Sequence, residues 1–355
     1  MSNPFSGSYK NADVEFLLTP IDVQTISVSE KEDLLRFGQR HYSEVLSTES
    51  PPSSAYLASF RAALTANGAR LAADIFILAD VLARRPASPA GLAVVSFARA
   101  GTPIGILLKR ALQRTGTAAI HYSISIVRYR GIDPAALRHI AERHAPEDIV
   151  FVDGWTGKGT ISREMRNSAD LAALGIVPFL VVVSDPAGQA DLAATSEDYL
   201  IPSGILNGIV SGLVSRSIIP SDLPPGSFHG CRVLHELAAH DLSNEFIDYI
   251  DTLALRLPQG GKAQWLEGER IARSAACQRL LQRLMADYAI LDINRIKPGL
   301  AESTRAVLRR QPRALLAGTN NDGALDHLLL LCAERQVQVT RSDNLEGYRA
   351  VALLD

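Results

Sequence analysis

Residues 146–166 read Pro-Glu-Asp-Ile-Val-Phe-Val-Asp-Gly-Trp-Thr-Gly-Lys-Gly-Thr-Ile-Ser-Arg-Glu-Met-Arg, which predicts a strand, a glycine-rich loop and the start of a helix. Residues 149–152 form a short apolar run that is typical of a buried parallel strand. A glycine-rich loop follows Asp153, and a helix is predicted to begin near Thr160. Such a loop turns backbone N–H groups and a helix start toward an anion. The stretch therefore predicts a phosphate site, with Asp153 placed to hold sugar hydroxyls or a hydrated metal.

The loop is not the nucleoside-triphosphate loop, because Gly157-Lys158 is followed by Gly159 and not by serine or threonine. It is not the dinucleotide-binding fingerprint either, because Gly-x-Gly-x-x-Gly is absent from this turn. It resembles the phosphoribosyl-diphosphate (PRPP) loop of type I phosphoribosyltransferases, in which an apolar strand and two acids precede a small-residue loop ending in Gly-Thr. Gly154 stands in the place of the second acid. The resemblance implies that PRPP, carrying Mg²⁺ near Asp153, binds to Asp153, Thr156, Gly157, Lys158, Gly159 and Thr160.

A second anion-binding turn comes earlier in the chain. Residues 91–96 read as a strand that continues into Phe-Ala-Arg-Ala-Gly, ending at Gly101, and a helix follows. A diphosphate leaving group needs backbone donors and a permanent cation, and arginine binds phosphate through two N–H groups. The turn resembles the pyrophosphate loop of the same transferases, which implies that Arg99, Ala100 and Gly101 bind the diphosphate.

Strands and helices alternate along the first two thirds of the chain, which predicts an α/β domain with a parallel sheet and helices on both faces. Ligands of such sheets bind at the carboxyl ends of the strands, where Arg99, Asp153 and Asp185 lie. In the transferases that the chain resembles, a flexible loop closes over the diphosphate. Arg128 and Arg130 would be the cations of that loop.

Residues 195–216 place apolar side chains at helical spacing, with small polar side chains about one turn apart on one face. A helix with such a face packs closely on another helix or lines a pocket. The second alternative makes Ser203, Asn207 and Ser211 candidates for recognising the acceptor, because the two phosphate loops would recognise only PRPP.

The C-terminal residues resemble the pelota-type RNA-binding domain. Gly299, Glu302 and Arg305 match its helix-opening Gly-x-Asn-Glu-x-x-Lys pattern, with alanine in place of the asparagine, and residues 327–337 match a later His-Leu…Leu-Cys segment. The resemblance makes Lys297, Gly299, Glu302 and Arg305 candidate RNA-binding residues, with the cations contacting phosphates. The alternative is that this small basic helix packs on the first domain.

Together these features resemble the phosphoribosyltransferase–pelota fusions of bacterial tellurite-resistance and stress gene clusters, a family also labelled StiP cysteine proteases. The implied organisation is an N-terminal arm or hood over 1–55, a phosphoribosyltransferase-like domain over 56–255, a helical linker over 256–290 and a pelota-like domain over 291–355. The implied reaction is attack of a base-like acceptor on PRPP, with Mg²⁺ and Arg99 stabilising the departing diphosphate and Asp153 holding the ribose hydroxyls.

Two alternatives to this transferase stay open. One is a non-catalytic protein that senses PRPP or a nucleotide and presents the tail to RNA. The other is a cysteine protease that uses Cys231, with His235 four residues further on. No activated-cysteine signature surrounds Cys231, which favours a buried thiol.

Composition is that of an ordinary soluble protein. The 355 residues are 47% hydrophobic and 21% charged with a formal net charge of −2, so nothing global demands nucleic acid or a membrane. The three cysteines, Cys231, Cys277 and Cys332, form no Cys-x-x-Cys pair, which argues against a zinc site or a disulfide framework and predicts a cytoplasmic protein. We expect no membrane-spanning run, a small-molecule acceptor as partner, and a homodimer as one oligomeric option.

Overall fold

The computed structural model describes residues 5–27, 29–31, 34, 42–85, 87–127, 129–257, 267–320 and 323–354. The strands described are β1 (Glu15–Leu17), β2 (Thr19–Pro20), β3 (Thr25–Ile26), β4 (Leu46–Ser47), β5 (Leu92–Phe97), β6 (Ala119–Ile124), β7 (Ile126–Val127), β8 (Gly131–Ile132), β9 (Ile149–Trp155), β10 (Leu180–Ser184), β11 (Leu192–Thr195), β12 (Gly230–Cys231), β13 (Ile296–Pro298), β14 (Ala314–Ala317), β15 (Val339–Arg341) and β16 (Ala350–Leu353). The α-helices are α1 (Ser54–Leu82), α2 (Thr102–Arg114), α3 (Pro134–Ala141), α4 (Thr160–Arg166), α5 (Ala169–Ala173), α6 (Ser243–Ala254), α7 (Glu267–Asp287), α8 (Leu300–Arg309) and α9 (Asp326–Arg335).

The main sheet has six parallel strands in the order β1-β6-β5-β9-β10-β11. Alternate side chains of its central strands enter two different cores, as the period-two geometry of a strand requires. Val94 and Val150 pack with α1 and α2 on one face, whereas Val95 and Phe151 pack with α3 on the other. The predicted parallel sheet with helices on both faces is confirmed.

The strand order places a ligand crevice between β5 and β9. From β5 the chain moves outward to β6 and then crosses back over β5 to β9, so the direction of winding reverses between these two strands. Open parallel sheets bind ligands at such a switch point, outside the carboxyl ends of the strands. Both loops that the sequence marked as anion sites leave the sheet at this point.

The C-terminal domain is a second, smaller α/β unit. Its sheet has the order β13-β16-β14-β15, with β14 and β15 parallel and the other pairs antiparallel. Helix α7, which lies in the segment interpreted as a linker, shares a core with this sheet through Cys277, Leu280 and Leu284. Strand β1 likewise carries residues of the predicted arm into the main sheet as an edge strand.

Two expectations from the sequence are wrong. Among the described residues, α1 is long and apolar enough to span a membrane by length and composition, although half of its most apolar window is buried inside the protein and it packs on α2 and α6. Core helices pass the same test, so this is weak evidence for a membrane span.

Residues 195–216 form no long helix but two short 3₁₀ turns, Pro202–Gly204 and Gly208–Val210. Proline and repeated glycines in this segment favour turns over a continuous helix.

Candidate functional site

The loop after β9 and the start of α4 line a cavity of about 200 Å³. The hydroxyl of Thr160 is buried and has no hydrogen-bond partner among the described residues. The backbone N–H groups of Gly159 and Thr160 also find no acceptor in that part of the chain. Buried polar groups are normally paired, so unpaired donors on residues that line one cavity favour an anion-binding site there. The cavity is lined by Asp153, Thr156, Gly157, Lys158, Gly159 and Thr160, the six residues predicted from the sequence.

Asp153 supplies a carboxylate near the end of β9, at the edge of this cavity. One of its oxygens accepts a hydrogen bond from the Gly154 N–H at 2.8 Å. Burial raises the pKa of Asp153 to about 7, and the negative charge of Glu302 acts in the same direction, whereas the Gly154 bond and the charge of Arg305 oppose the rise. A carboxyl group that titrates near neutral pH in a cavity is a candidate for proton transfer or for cation binding.

Two loop residues make structural contacts with their side chains. The Thr156 hydroxyl donates to Asp185 and accepts from the Ala187 N–H at 3.3 Å. The Lys158 ammonium group donates to the carbonyl oxygens of Ile293 at 3.0 Å and Ile296 at 2.8 Å. The ammonium group of Lys158, which was predicted to bind the phosphate, therefore contacts the C-terminal domain instead. The loop groups that remain without a partner among the described residues are the Gly159 and Thr160 N–H groups and the Thr160 hydroxyl.

Arg99 lies beside this site, on the loop between β5 and α2. The side chain is only 3% exposed; one terminal nitrogen donates to the Val214 carbonyl at 2.9 Å and the other pairs with Glu49. Its Nε has no hydrogen-bond partner among the described residues. A Cβ atom on Gly101 would lie 2.7 Å from the carbonyl oxygen of Val152 in β9, so the two loops are in contact. Ala100 separates Arg99 from that point of contact.

The C-terminal domain closes the cavity. A Cβ atom on Gly157 would lie 2.7 Å from Cγ of Glu302, and the Tyr348 hydroxyl donates to the Gly157 carbonyl at 2.8 Å. The guanidinium of Arg305 lies 4.8 Å from the centre of the Trp155 ring. Helix α8 thereby places a second carboxylate, that of Glu302, in the cavity wall near Asp153. The second acid that the resemblance expects is replaced by Gly154, and Glu302 of the C-terminal domain supplies a carboxylate to the same cavity.

The predicted RNA-binding residues face the first domain. Asp198 accepts hydrogen bonds from the N–H groups of Leu300, at 3.0 and 3.1 Å, and of Arg349, at 2.8 Å. This carboxylate therefore caps α8 across the domain boundary. In this arrangement Lys297, Gly299, Glu302 and Arg305 are covered by the loop after β9 and by Asp198, and the alternative in which this helix packs on the first domain is the one observed.

The three predicted acceptor residues do not share a helix face, since their segment is not a helix. The hydroxyl of Ser203 is buried without a partner among the described residues, and Ser211 donates to the Asn207 carbonyl at 2.9 Å. The side-chain oxygen of Asn207 accepts from Arg309 at 2.9 and 3.1 Å. Of the three, Asn207 lines a second cavity, which also contains Arg99.

Of the other predicted residues that the structure describes, Arg130, Cys231 and His235 line neither cavity. Arg128 is outside the described residues, and Arg130 is exposed next to the hairpin formed by β7 and β8. Cys231 is fully buried in β12, and burial raises the pKa of its thiol to about 12. His235 is exposed, so the thiolate–imidazole pair that the protease alternative needs is not formed.

Sequence reasoning missed three side chains that surround Arg99. Glu49 follows β4 in a Ser/Pro-rich segment, Arg216 ends the segment that was misread as a helix, and Arg309 is the last residue of α8. Nothing near Glu49 or Arg216 in the sequence marks them. For Arg309, its position one turn after Arg305 on α8 was the only signal that the two side chains lie on the same face.

Comparison with known proteins agrees with this architecture. Residues 7–251 match the family model described as "Tellurite-like stress resistance cysteine protease StiP", and residues 275–355 match the PELOTA RNA binding domain. A curated relative, "Cysteine protease StiP" of Acinetobacter baylyi, is 41% identical over 364 residues, which cover 99% of this chain and 94% of the relative.

Similar solved structures include two phosphoribosyltransferases. The hypoxanthine phosphoribosyltransferase of Trypanosoma cruzi is 15% identical and covers 37% of this chain and 80% of its own, with a TM-score of 0.28. The HGPRT-ase of Leishmania tarentolae in complex with GMP is 19% identical and covers 39% and 72%, with a TM-score of 0.24. Such low scores carry no argument about this chain, whereas the two family models and the curated relative confirm a StiP-family region followed by a PELOTA domain. The chain therefore belongs to the StiP family of tellurite-like stress resistance proteins and carries a C-terminal PELOTA domain.

Proposed function

We propose that the chain binds PRPP in the cavity after β9 and transfers its phosphoribosyl group to a small-molecule acceptor. The buried, unpartnered hydroxyl of Thr160 carries this proposal, because it belongs to a residue that lines the same cavity as Gly159 and Asp153. The 5′-phosphate would accept hydrogen bonds from the Gly159 and Thr160 N–H groups and from the Thr160 hydroxyl. Asp153 would accept hydrogen bonds from the ribose hydroxyls.

The reaction breaks the bond between the anomeric carbon and the diphosphate oxygen and forms a bond from that carbon to an acceptor nitrogen, which then loses its proton to solvent. Positive charge develops on the ribose ring as the diphosphate leaves, and the carboxylate of Asp153 stabilises it electrostatically. Arg99, which lines the neighbouring cavity and has an unpaired Nε among the described residues, would stabilise the diphosphate.

Oxygen ligands in the cavity wall fit a hydrated Mg²⁺ that arrives with PRPP. Asp153 and Glu302 both line the cavity, and Mg²⁺ is usually held by one or two carboxylates together with substrate phosphates. Bound there, the ion would neutralise charge on the departing diphosphate. Glu302 thus takes the part of the acid that Gly154 lacks.

Isothermal titration of PRPP into the protein, with and without Mg²⁺, tests this proposal. We expect Mg²⁺-dependent binding to the wild-type protein and at least tenfold weaker binding to Thr160→Val, because valine keeps the size of the side chain but removes the hydroxyl donor. Thr115→Val, which removes a hydroxyl at the end of α2, is the matched control and should bind normally. Equal affinity of Thr160→Val and wild type would exclude this phosphate site.

Binding without diphosphate release for any acceptor would favour the sensor alternative, in which the fold reads PRPP and the PELOTA domain reads RNA. The RNA-binding residues would then become accessible only when α8 leaves the first domain.

A thiol protease is the second candidate, from the description of the family. The cysteines of this chain do not support it, since burial raises the pKa of all three thiols, to about 12 for Cys231 and about 11 for Cys332. Active-site cysteines have lowered pKa values and accessible sulfur atoms. We expect native protein to resist iodoacetamide at pH 7.5 and to react at all three thiols in 6 M guanidinium, as mass spectrometry would show. Rapid alkylation of Cys231 in the native protein would restore the protease candidate.

A further inference from the structure

The loop after β9 is in contact with Tyr348 of the C-terminal domain. The Tyr348 hydroxyl donates a hydrogen bond to the Gly157 carbonyl at 2.8 Å. A peptide unit is planar, and in its trans form the C=O and N–H groups point in opposite directions. The same hydrogen bond therefore fixes the direction of the Lys158 N–H, which directly precedes the Gly159 and Thr160 donors assigned to the phosphate.

Two further contacts restrict the same loop. The Lys158 ammonium group donates to two carbonyl oxygens of the C-terminal domain. A Cβ atom on Gly159 would meet the side chain of Gln189, whose nitrogen donates to the Ser274 hydroxyl of α7 at 2.8 Å. Residues 157–159 are thus tied to the C-terminal domain directly or through one side chain of the first domain.

Tyr348 is held in place by its surroundings. The side chain is 4% exposed, and burial raises the pKa of its hydroxyl above the ordinary value, so this group stays protonated and can donate at neutral pH. The adjacent Arg349 donates its N–H to the buried carboxylate of Asp198 at 2.8 Å, and its carbonyl accepts from the Gly318 N–H at 2.8 Å. A donor that packing and neighbouring hydrogen bonds hold in one place can fix its acceptor with little loss of entropy.

The influence of Tyr348 on a ligand passes through the loop. Tyr348 is not among the described residues that line the cavity after β9. Gly157 and Gly159 flank Lys158, and glycine has more backbone freedom to lose than any other residue. Donors that are ordered before the ligand arrives bind it without this entropic cost. Ordering of the loop by the C-terminal domain should therefore strengthen phosphate binding.

We propose that Tyr348 is a positioning residue for the phosphate-binding loop after β9, so that the PELOTA domain forms part of the phosphoribosyl site. This assignment rests on the proposed binding of PRPP and adds what holds the loop donors in place. Coupling between two sites is reciprocal, so bound PRPP in turn holds the C-terminal domain against the first domain. The contact gives the PELOTA domain a role that does not depend on RNA.

Tyr348→Phe, which keeps the ring and removes only the hydroxyl, tests the proposal in the full chain. We expect PRPP with Mg²⁺ to bind this variant about fivefold more weakly than wild type in a calorimetric titration, the loss expected for one hydrogen bond. Tyr288→Phe is the matched control from the C-terminal part of the chain, where the Tyr288 ring lies 5.6 Å from the guanidinium of Arg313. The control should bind PRPP normally.

Hydrogen exchange of the unliganded proteins separates positioning from a general loss of stability. We expect peptides that cover residues 157–160 to exchange about fivefold faster in Tyr348→Phe than in wild type, and peptides from β5 and α2 to exchange equally in both. In wild type, PRPP should slow exchange in α8. Unchanged PRPP affinity in Tyr348→Phe, or faster exchange throughout the chain, would overturn the proposal.

The positioning role and the proposed function fail in different ways. A wild-type protein that binds no PRPP would remove the phosphoribosyl function, and the exchange comparison would still decide whether Tyr348 orders the loop, because it uses no PRPP. Equal PRPP binding by wild type and Tyr348→Phe would keep the function and remove only the positioning role. Circular dichroism checks that the variant folds. If it does not fold, exchange in α8 that PRPP leaves unchanged in wild type would overturn the proposal.

Discussion

Replacing Asp153 with asparagine should stabilise the unliganded protein and abolish PRPP binding. Burial raises the pKa of Asp153 from 3.8 to about 7, so between these pH values the folded protein binds a proton that the unfolded chain has released. Folding free energy is therefore lost as pH rises from about 4 to 7, and the full loss persists above pH 7. Asparagine keeps a side-chain oxygen for the Gly154 N–H but cannot ionise.

The size of the effect follows from the pKa shift, at about 1.4 kcal/mol for each pKa unit. We expect Asp153→Asn to be more stable than wild type by about 2–4 kcal/mol at pH 8 and by about 1 kcal/mol or less at pH 4.5. Urea unfolding at both pH values measures this difference, and Asp222→Asn, at an exposed loop position, is the control that should show no change. A variant whose stability has the same pH dependence as wild type would contradict the assignment.

Gly188→Ala should loosen the C-terminal domain from the first domain. Gly188 has a φ of +61°, and a Cβ atom there would lie 2.2 Å from the Arg270 carbonyl oxygen and 2.6 Å from the Ser274 nitrogen, both in the backbone of α7. A backbone atom cannot rotate away as a side chain does, so α7 must shift. Gly175 is the matched control, with a φ of +68° and nothing within 4 Å of its Cβ position.

The comparison isolates the contact from the strain of a positive φ, because both variants carry the strain. We expect Gly188→Ala to be less stable than Gly175→Ala by about 2–4 kcal/mol, the range of severe core substitutions. We also expect Gly188→Ala to bind a fluorescent RNA stem–loop at least tenfold more tightly than wild type in 50 mM salt, because Lys297 and Arg305 become accessible. Equal stability of the two variants, or tight RNA binding by wild type, would count against domain docking as the control of RNA access.

The parts of the molecule that sequence predicted are those encoded by neighbouring residues. The strand at 149–155, the glycine loop and the Asp153 side chain lie within a dozen positions of one another, and a single strand–loop–helix unit fixes their geometry. At the start of α3, Asp133 makes hydrogen bonds that are equally local, since it accepts from the Ala135 and Ala136 N–H groups at 2.9 and 3.2 Å. Local hydrogen bonds of this kind leave a readable pattern.

The parts that sequence did not predict depend on contacts between distant segments. Lys158 is 135 positions from Ile293, and no local pattern distinguishes a lysine that binds a phosphate from one that binds a carbonyl group of another domain. The same holds for Glu49, which is 50 positions from Arg99. The helix predicted over residues 195–216 is absent for another reason. The apolar spacing of this segment is helical, but Pro202, Gly208 and Gly212 favour turns.

A ³¹P NMR titration of PRPP with the protein shows whether the loop after β9 binds the phosphoribosyl group, because the 5′-phosphate and the diphosphate give separate signals. With Mg²⁺ present, we expect wild-type protein to shift or broaden the 5′-phosphate signal and Thr160→Val to leave this signal unchanged. A 5′-phosphate signal that wild-type protein does not alter, at protein concentrations of about 0.5 mM that would saturate any micromolar site, would contradict the assignment of the loop after β9 as a phosphoribosyl site.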